Sequence, residues 1–559
     1  MTAFLAVATV VAMLALAVRL AGRQHRLLHL FQLEHYEPAR LLLWLRRRAE
    51  LFAPRELVAV GALYAAAIAD LAVGARWFAG ALLLLSTPIA ASGLGDWRRA
   101  AVKPLVFTDR AKRLFTVAFT PAVLLVLAAL VLAIAGLDTI GLLALLVAGL
   151  LLLALTPWAL LAADRLLAPV QEAVNRRYVH RARLTLAEID PLVIAITGSY
   201  GKTTTKFCIG EVLAADRPTL VTPESYNSLL GVTRTINERL ERQHETFVVE
   251  MGMFRRGDIT ELCDLVHPRV GVITAIGPMH LERLGSIEEI ALAKAELLEA
   301  LPADGRFVTN ADDPRCLEIA GRARVPVMLF GIENPDAQVL AGDVRLIDGR
   351  TVFDLRLDGP DSPAIEVSVA LLGRHNVSNL LAAAAVGRAL EIEPSRIAQG
   401  LARVKAAAHR LQPIHNRAAN IVVIDDAYNS NPAGAQAALE VLEQHPATRR
   451  LLVTPGMVEL GQMEVECNRR LGRQAAAVCD LAILVGPART APIREGLAEA
   501  GMNADSIHVV RDIAEATTLL GRLTRSGDVV LFENDLPDTY EEEAVSNEAP
   551  PTTNNLSRT

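Results

Sequence analysis

The chain has 559 residues, 52% hydrophobic but only 4% aromatic, with a mean hydropathy of +0.32 and a formal charge of −6. At about 100–200 residues per domain that length predicts several units. The positive hydropathy says that at least one is not water-soluble, and the mild acidity excludes a nucleic-acid partner, which calls for a basic stripe. Cys208, Cys263, Cys316, Cys467 and Cys479 are odd in number and never spaced as paired ligands, against a disulfide framework or a structural zinc site. They read as small buried hydrophobes in a reducing compartment.

Uncharged apolar runs at about 2–18, 57–75, 77–93, 114–136 and 139–163 approach or exceed the roughly 17–25 residues that a bilayer-crossing helix requires. They predict a membrane domain of about five transmembrane helices over 1–165. The competing reading, buried core helices of a soluble domain, fits less well because such helices keep a polar face. Basic residues cluster at 21–55, at 94–113 and from Arg165 onward, and the positive-inside rule puts all three clusters on the cytoplasmic side. Five crossings of the cytoplasmic membrane with the N-terminus outside satisfy every loop and place the rest of the chain in the cytoplasm. In the first run the positive charges follow the apolar stretch instead of preceding it, so it is expected to anchor the chain in membrane lipid and not to be cleaved.

A basic linker at 166–189 comes next, and from Leu192 short β-branched runs alternate with amphipathic stretches, the pattern of α/β domains built on mostly parallel sheets. Strands are predicted at 192–197, 246–250, 270–274, 421–424, 451–454, 482–485 and 529–532, with a period-two hairpin between about 336 and 372 and a helix at 376–390. The fold class is therefore a multi-pass α-helical membrane region followed by two α/β domains. These are a central P-loop domain at 190–411 and a Rossmann-like C-terminal domain at 412–539, and the tail at 540–559 has the polar composition of disorder.

Gly198-Ser-Tyr-Gly-Lys-Thr-Thr-Thr follows the first of these strands and opens a helical stretch. Glycines let backbone N–H groups close around phosphate, and the helix N-terminus adds positive potential. Lys202 then reaches the outer phosphates and Thr203 serves as a Mg²⁺ ligand. Gly198, Ser199, Tyr200, Gly201, Lys202, Thr203 and Thr204 are thus the candidate ATP loop; the alternative is a turn glycine before a helix. Glu250 closes a strand, as a metal ligand or as a solvated strand-end carboxylate. His280 is either a metal ligand or a helix cap. Ser286-Ile-Glu-Glu289 is a capping box that starts a helix on which Lys294 shares a face with Ile287, Ile290, Ala291 and Leu298; a lysine there ordinarily snorkels.

In order along the chain, Gly198–Thr204, Tyr226-Asn-Ser-Leu-Leu-Gly-Val, Val249-Glu-Met-Gly, Ile276-Gly-Pro-Met-His-Leu-Glu, Ala293-Lys-Ala-Glu-Leu, Gly373-Arg-His-Asn-Val-Ser-Asn, His409-Arg-Leu and Asp425-Asp-Ala-Tyr-Asn-Ser-Asn-Pro resemble the motif series of the Mur ligases, over about 190–535. These are the ATP-dependent amide-forming enzymes of peptidoglycan precursor synthesis, and the resemblance is closest to their MurF branch. It implies ATP and two Mg²⁺ ions as cofactors, with Lys202, Glu250, His280 and Lys294 catalytic and Thr203, Glu250, His280 and Lys294 toward metal, Lys294 as its carbamate. It also implies Asn227 in the nucleotide site, His375, Asn376 and Asn379 against adenine, Arg410 on phosphate and Asp425 at the ribose or the domain hinge. The other reading of the asparagines is helix capping, and of Asn429-Ser-Asn-Pro a turn.

Four features depart from that branch, one of them Pro455-Gly-Met-Val-Glu-Leu-Gly where a related Gly-Asp-Met-x-Glu-Leu-Gly is expected. The membrane block stands where a UDP-sugar domain is expected, Thr233 replaces a proline, and the last strand ends Leu531-Phe-Glu-Asn-Asp-Leu-Pro instead of in Lys-Gly-Ser. The expected activity is an ATP-dependent amide ligase that forms an acyl phosphate on a muropeptide or related carboxylate and passes it to an amino acid or dipeptide amine. The alternatives are the same chemistry on a lipid-linked or poly-amino-acid acceptor, and a P-loop membrane transport or sensor ATPase.

Overall fold

The structure, a computed structural model, describes residues 2–47, 78–98, 104–135, 139–279, 284–347, 349–405, 409–427, 430–458 and 460–535. The apolar run 57–75, the tail 540–559, His280, Tyr428 and Asn429 lie outside the described residues. The chain divides into two compact units, the second starting at Arg176.

The first unit is helical: Thr2–Leu33, Pro38–Arg47, Phe78–Arg98, Asp109–Ile134 and Thr139–Ala154, followed by Thr156–Ile189, which runs on into the second unit. Ala8, Met13, Leu16, Leu20, Ala129 and Leu153 are among its buried apolar side chains. Thr108 caps the fourth helix by accepting from Ala111 N at 3.2 Å. Among the described residues only Asp109–Leu132 is long and apolar enough to cross a membrane; its 24 residues rise about 36 Å, against about 30 Å of hydrocarbon. The expectation of five spans is corrected accordingly: one helix qualifies, or two if the bent pair Val147–Ala154 and Thr156–Ile189 is one span. That pair meets at 67°, so the run 139–163 is two helices. The Thr156 hydroxyl donates to the carbonyls of Leu152 and Leu153 at 3.0 and 2.8 Å, and Pro157 lacks the N–H that would continue the ladder. The basic stretch 166–189 is helical throughout.

The second unit holds two sheets. The first comprises β1 (Leu192–Thr197), β2 (Thr219–Val221), β3 (Thr246–Glu250), β4 (Val270–Ile273), β5 (Arg306–Asn310), β6 (Val327–Gly331), β7 (Val339–Ile347), β8 (Arg350–Arg356) and β9 (Ile365–Val369). Their order is β2-β3-β1-β4-β5-β6-β7-β8-β9. It is parallel from β2 to β7, and β8 and β9 add an antiparallel edge. The second comprises β10 (Gln412–Asn416), β11 (Ile421–Asp426), β12 (Arg449–Thr454), β13 (Leu481–Val485), β14 (Ile507–Val510) and β15 (Asp528–Glu533) in the order β10-β11-β15-β12-β13-β14, parallel except for β10.

Strands β1, β3 and β4 are buried on both faces, as the interior strands of a helix-covered parallel sheet must be. One cover is the helix Arg374–Ala389, whose Ala382, Ala383, Ala384 and Ala385 are fully buried and let it lie close against the helix Lys202–Ala214. From β1 the chain crosses toward β2, and from β4 toward β5 on the other side. A crevice therefore opens outside the carboxyl ends of β1 and β4, the place where open α/β sheets bind ligands.

Candidate active site

The loop 198–201 leaves β1 at that crevice. Ser199 N donates to Ala275 O at 2.7 Å, the Ser199 hydroxyl donates to Gly277 O at 3.0 Å and accepts from Gly277 N at 2.9 Å, and the Thr274 hydroxyl donates to Tyr200 O at 2.5 Å. Asp313 fixes the opposite rim by accepting from Ile276 N at 2.7 Å. Ser199 and Tyr200 thus serve the loop by clamping it to the segment after β4, and the Ser199 side chain is committed there. Gly201 has a φ of +77°, and a Cβ on it would lie 2.2 Å from Asn379 Oδ1. Left-handed backbone costs other residues about 1–2 kcal/mol. Gly201→Ala is therefore expected to weaken binding of a non-hydrolysable ATP analogue at least about ten-fold by calorimetry and to lower Tm.

The helix Lys202–Ala214 begins at this loop. Lys202 Nζ donates to Gly198 O at 2.8 Å and Ser199 O at 3.4 Å, so its ammonium lies over the loop that would hold phosphate. One turn on, Lys206 is fully buried, with Nζ 3.1 Å from Glu250 Oε2 and bonded to Glu224 O. Asn227 Nδ2 donates to Glu250 Oε1 at 3.0 Å, so Asn227 acts on the site through Glu250. Burial alone would raise the Glu250 pKa; Lys206 and Lys202 outweigh it and hold the carboxyl below its ordinary value. Lys206 was not foreseen from the sequence. Its signal was the Lys202–Lys206 spacing of four, which puts both ammoniums on one side of the helix, but a lysine is read as exposed until a partner is known.

Lys294 lies on the helix Ile287–Glu299, which Ser286 caps by accepting from Glu289 N at 3.2 Å. It is 3% exposed and does not snorkel. Burial and the Lys202 charge push its pKa well down, which favours the neutral amine. From the second sheet's side, Arg410 Nη2 reaches Thr203 Oγ1 at 3.3 Å. Arg410 is flanked by His409 and Leu411, both at positive φ, and His409 Nδ1 lies 2.7 Å from Asp425 Oδ2. Lys202 and Lys206 are each Coulombic neighbours of Glu250 and Arg410, and Lys294 of Lys202. Three cations, Lys202, Lys206 and Arg410, beside the Glu250 carboxylate make a cradle for a polyanion.

The asparagines of the helix Arg374–Ala389 stand behind the loop. Asn379 Oδ1 accepts from Thr205 Oγ1 at 3.1 Å, Asn379 Nδ2 donates to Asn376 Oδ1 at 3.0 Å, and Asn376 Nδ2 donates to Leu372 O at 2.8 Å. Both are nearly buried, so their polar atoms brace the helix that carries the phosphate loop. His375 is half-buried with no hydrogen bond to Nδ1, and burial lowers its pKa to about 4, leaving a neutral ring at neutral pH. For divalent metal, Glu250 and Thr203 supply a carboxylate and a hydroxyl, hard oxygens of the kind Mg²⁺ takes together with phosphate oxygens, so the residue types fit.

Comparison with known proteins gives the following similarities. The Mur ligase middle domain family matches residues 196–387, and the Mur ligase glutamate ligase domain family matches residues 409–533. The UDP-N-acetylmuramoyl-tripeptide–D-alanyl-D-alanine ligase of Mycobacterium tuberculosis is 36% identical over 361 residues, covering 61% of this chain and 70% of that protein. The Escherichia coli enzyme of the same name is 32% identical over 303 residues, covering 54% of this chain and 65% of that protein. Among solved structures, MurF ligase of Thermotoga maritima in complex with ADP superposes with a TM-score of 0.58 at 26% identity, covering 65% of this chain and 80% of that one. MurF of Acinetobacter baumannii superposes with a TM-score of 0.58 at 28% identity, covering 65% and 77%.

Proposed function

Because this chain belongs to the Mur ligase family, as a MurF-like ATP-dependent ligase that forms C–N bonds in peptidoglycan precursor synthesis, we propose that it joins D-alanyl-D-alanine to the terminal carboxylate of a UDP-MurNAc-tripeptide. The cation-lined loop after β1, with Glu250 and Arg410 converging on it, carries this reading.

A carboxylate does not form an amide at neutral pH without a better leaving group. Transfer of the ATP γ-phosphoryl group to the carboxylate makes an acyl phosphate, which the amine attacks to release phosphate. Lys202 turns from its loop carbonyls to the γ-phosphate, the helix N-terminus at Thr203 and Thr204 faces the phosphate chain, and Arg410 brings positive charge from the C-terminal domain as that domain closes. Mg²⁺, held at Thr203 and Glu250 with His280 and carbamylated Lys294 serving a second ion, would neutralise the charge crowded between phosphate and carboxylate. Lys206 keeps Glu250 ionised and aimed. His375 offers a neutral ring face to adenine, and Asp425, oriented by His409, faces the ribose.

The burial of Lys294 supports its carbamylation, because CO₂ is attacked only by the neutral amine. Full-length protein equilibrated with ¹³C-bicarbonate is expected to give a carbamate carbon signal that Lys294→Ala loses; a signal unchanged in that variant would rule it out. The helix Asp109–Leu132 supports an anchor in the cytoplasmic membrane, with the catalytic domains in the cytoplasm. It also favours a second reading in which the acceptor is lipid-linked, since confinement to one surface raises effective concentration. The test is ADP release by the full chain in detergent, with ATP, Mg²⁺ and either the UDP-linked or the lipid-linked tripeptide. Release that requires the UDP-linked acceptor supports the first reading, and release only with the lipid-linked one the second.

A further inference from the structure

The helical N-terminal unit holds a cavity of about 290 Å³ that no step of the ligase reaction uses; ligand pockets start at about this size, roughly 300 Å³. Arg110 and Arg113, three residues apart at the start of the helix Asp109–Ile134, form one wall, and Asp164 and Gln171 of the helix Thr156–Ile189 stand on the other. The two arginines are paired differently. Arg110 is fixed between Asp164, 3.1 Å away, and the Tyr36 ring, whose centroid lies 4.1 Å from its guanidinium carbon. Arg113 donates from Nη2 to Gln171 Oε1 at 2.6 Å, and Gln171 Nε2 donates on to Asn175 Oδ1 at 2.8 Å. Among the described residues that neutral amide is the one partner of the Arg113 guanidinium. A half-buried guanidinium that lines a cavity and keeps most of its N–H fork calls for an anion with oxygens to accept from it.

Glu172 also lines the cavity and opposes a second negative charge there. A phosphodiester, with one charge and two free oxygens, meets both conditions, and a phosphomonoester or a diphosphate does not. The cavity sits at the first turns of the helix Asp109–Leu132, whose basic residues Arg110, Lys112 and Arg113 mark its cytoplasmic end. In an anchored chain those turns lie at the depth of the lipid headgroups, where basic pockets between helices take up phospholipid. Leu114 and Leu167 make part of the lining apolar. Beside it Leu166, Val170 and Val174 are 70%, 49% and 44% exposed and recur every four residues, an apolar strip along the same helix. Resting on the reading of Asp109–Leu132 as a membrane anchor, we propose that this cavity binds the phosphodiester headgroup of a glycerophospholipid from the cytoplasmic leaflet. Arg113 meets the phosphate, Arg110 is held in place by Asp164 and Tyr36 as the second cation, and the acyl chains run along Leu166, Val170 and Val174.

The test titrates the full chain, freed of lipid in detergent, with three probes and reads the bound species by native mass spectrometry. The probes are phosphatidylglycerol, diacylglycerol with the same chains, and glycerophosphoglycerol, which is the headgroup without them. Wild type is expected to bind phosphatidylglycerol at least about ten-fold more tightly than either other probe. Arg113→Gln should weaken that binding at least about ten-fold, and so should Ala168→Trp, which fills the cavity and leaves both arginines in place. Arg165→Gln, which removes an exposed arginine of the same helix outside the cavity, should leave it unchanged. Wild-type binding in both cavity variants, an equal loss in Arg165→Gln, diacylglycerol bound as tightly as phosphatidylglycerol, or no phosphatidylglycerol on wild type would overturn the site. Glycerophosphoglycerol bound as tightly as the lipid would overturn its assignment to a membrane lipid. Failure of the chain to float with phosphatidylcholine vesicles would instead count against the anchor reading, and the titration in detergent would still decide the cavity.

Discussion

Lys202→Ala is expected to abolish carboxylate-dependent ADP release, by at least about 10²–10³-fold in kcat, while leaving the protein folded. Among the described residues its ammonium donates only to the carbonyls of its own loop, and Glu250, whose charge it helps to hold, keeps Lys206 as its ion-pair partner. The neighbouring Arg410 is relieved of a like charge. What is lost is a positive charge placed where negative charge collects as the γ-phosphoryl group moves, and removing one such preorganised group costs about 3–4 kcal/mol of barrier. The measurement pairs a coupled ADP assay with thermal unfolding. A variant that keeps more than a tenth of wild-type turnover would contradict the assignment of this loop to the γ-phosphate.

Glu250→Gln is expected to damage both chemistry and stability, which separates it from Lys202→Ala. Glu250 is 1% exposed and faces the fully buried Lys206. Breaking a buried pair by neutralising one partner leaves an uncompensated charge, at about 3–5 kcal/mol. Turnover should fall at least about 10²-fold, and the Mg²⁺ concentration for half-maximal activity should rise because the metal's carboxylate is gone. In the double variant Glu250→Gln, Lys206→Met the stability loss should be largely recovered and the activity should not. The same pair sets a pH dependence. Because the Glu250 pKa is lowered in the folded state, its stabilising contribution is complete above the unfolded value of about 4.3 and is lost as the pH falls through the folded one. A Tm that recovers together with turnover in the double variant, or a Mg²⁺ requirement unchanged in the single one, would contradict a metal role for Glu250.

How much of this was legible in the sequence depended on whether the signal was local. Strands β1 and β3 were read to the residue because a doubly buried strand is a short continuous apolar run, and the glycines after β1 have one structural use before a helix start. The helix Arg374–Ala389 and the hairpin at β7 and β8 were visible as periodicities. Strand β10 was not, since its residues are largely solvent-facing and include His415 and Asn416, and neither was β2, only three residues long. The apolar run 139–163 was legible as a run but not as a bend, which rests on the Thr156 hydroxyl and Pro157.

In the site, the residue types were legible and several of their contacts were not. Lys206 is a charged residue whose burial depends on a partner far away in sequence, and the composition around it gives no hint of it. Asn376 and Asn379, which the resemblance places against adenine, have their side chains in the internal chain that holds Thr205 and the loop. Asn227 likewise serves Glu250. The motif series marked the positions, and the fold shows which of them orient another side chain.

The central claim is that the carboxylate is activated by ATP at the loop after β1 and then captured by an amine. The measurement that tests it most directly is mass spectrometry of the product formed by the full chain in detergent from ATP, Mg²⁺, UDP-MurNAc-tripeptide and D-alanyl-D-alanine, with Lys202→Ala as the blank. The account predicts a product heavier than the tripeptide by one dipeptide less one water, formed in step with ADP and absent from the blank. ADP formed at the same rate without the tripeptide, and no amide with it, would contradict the account.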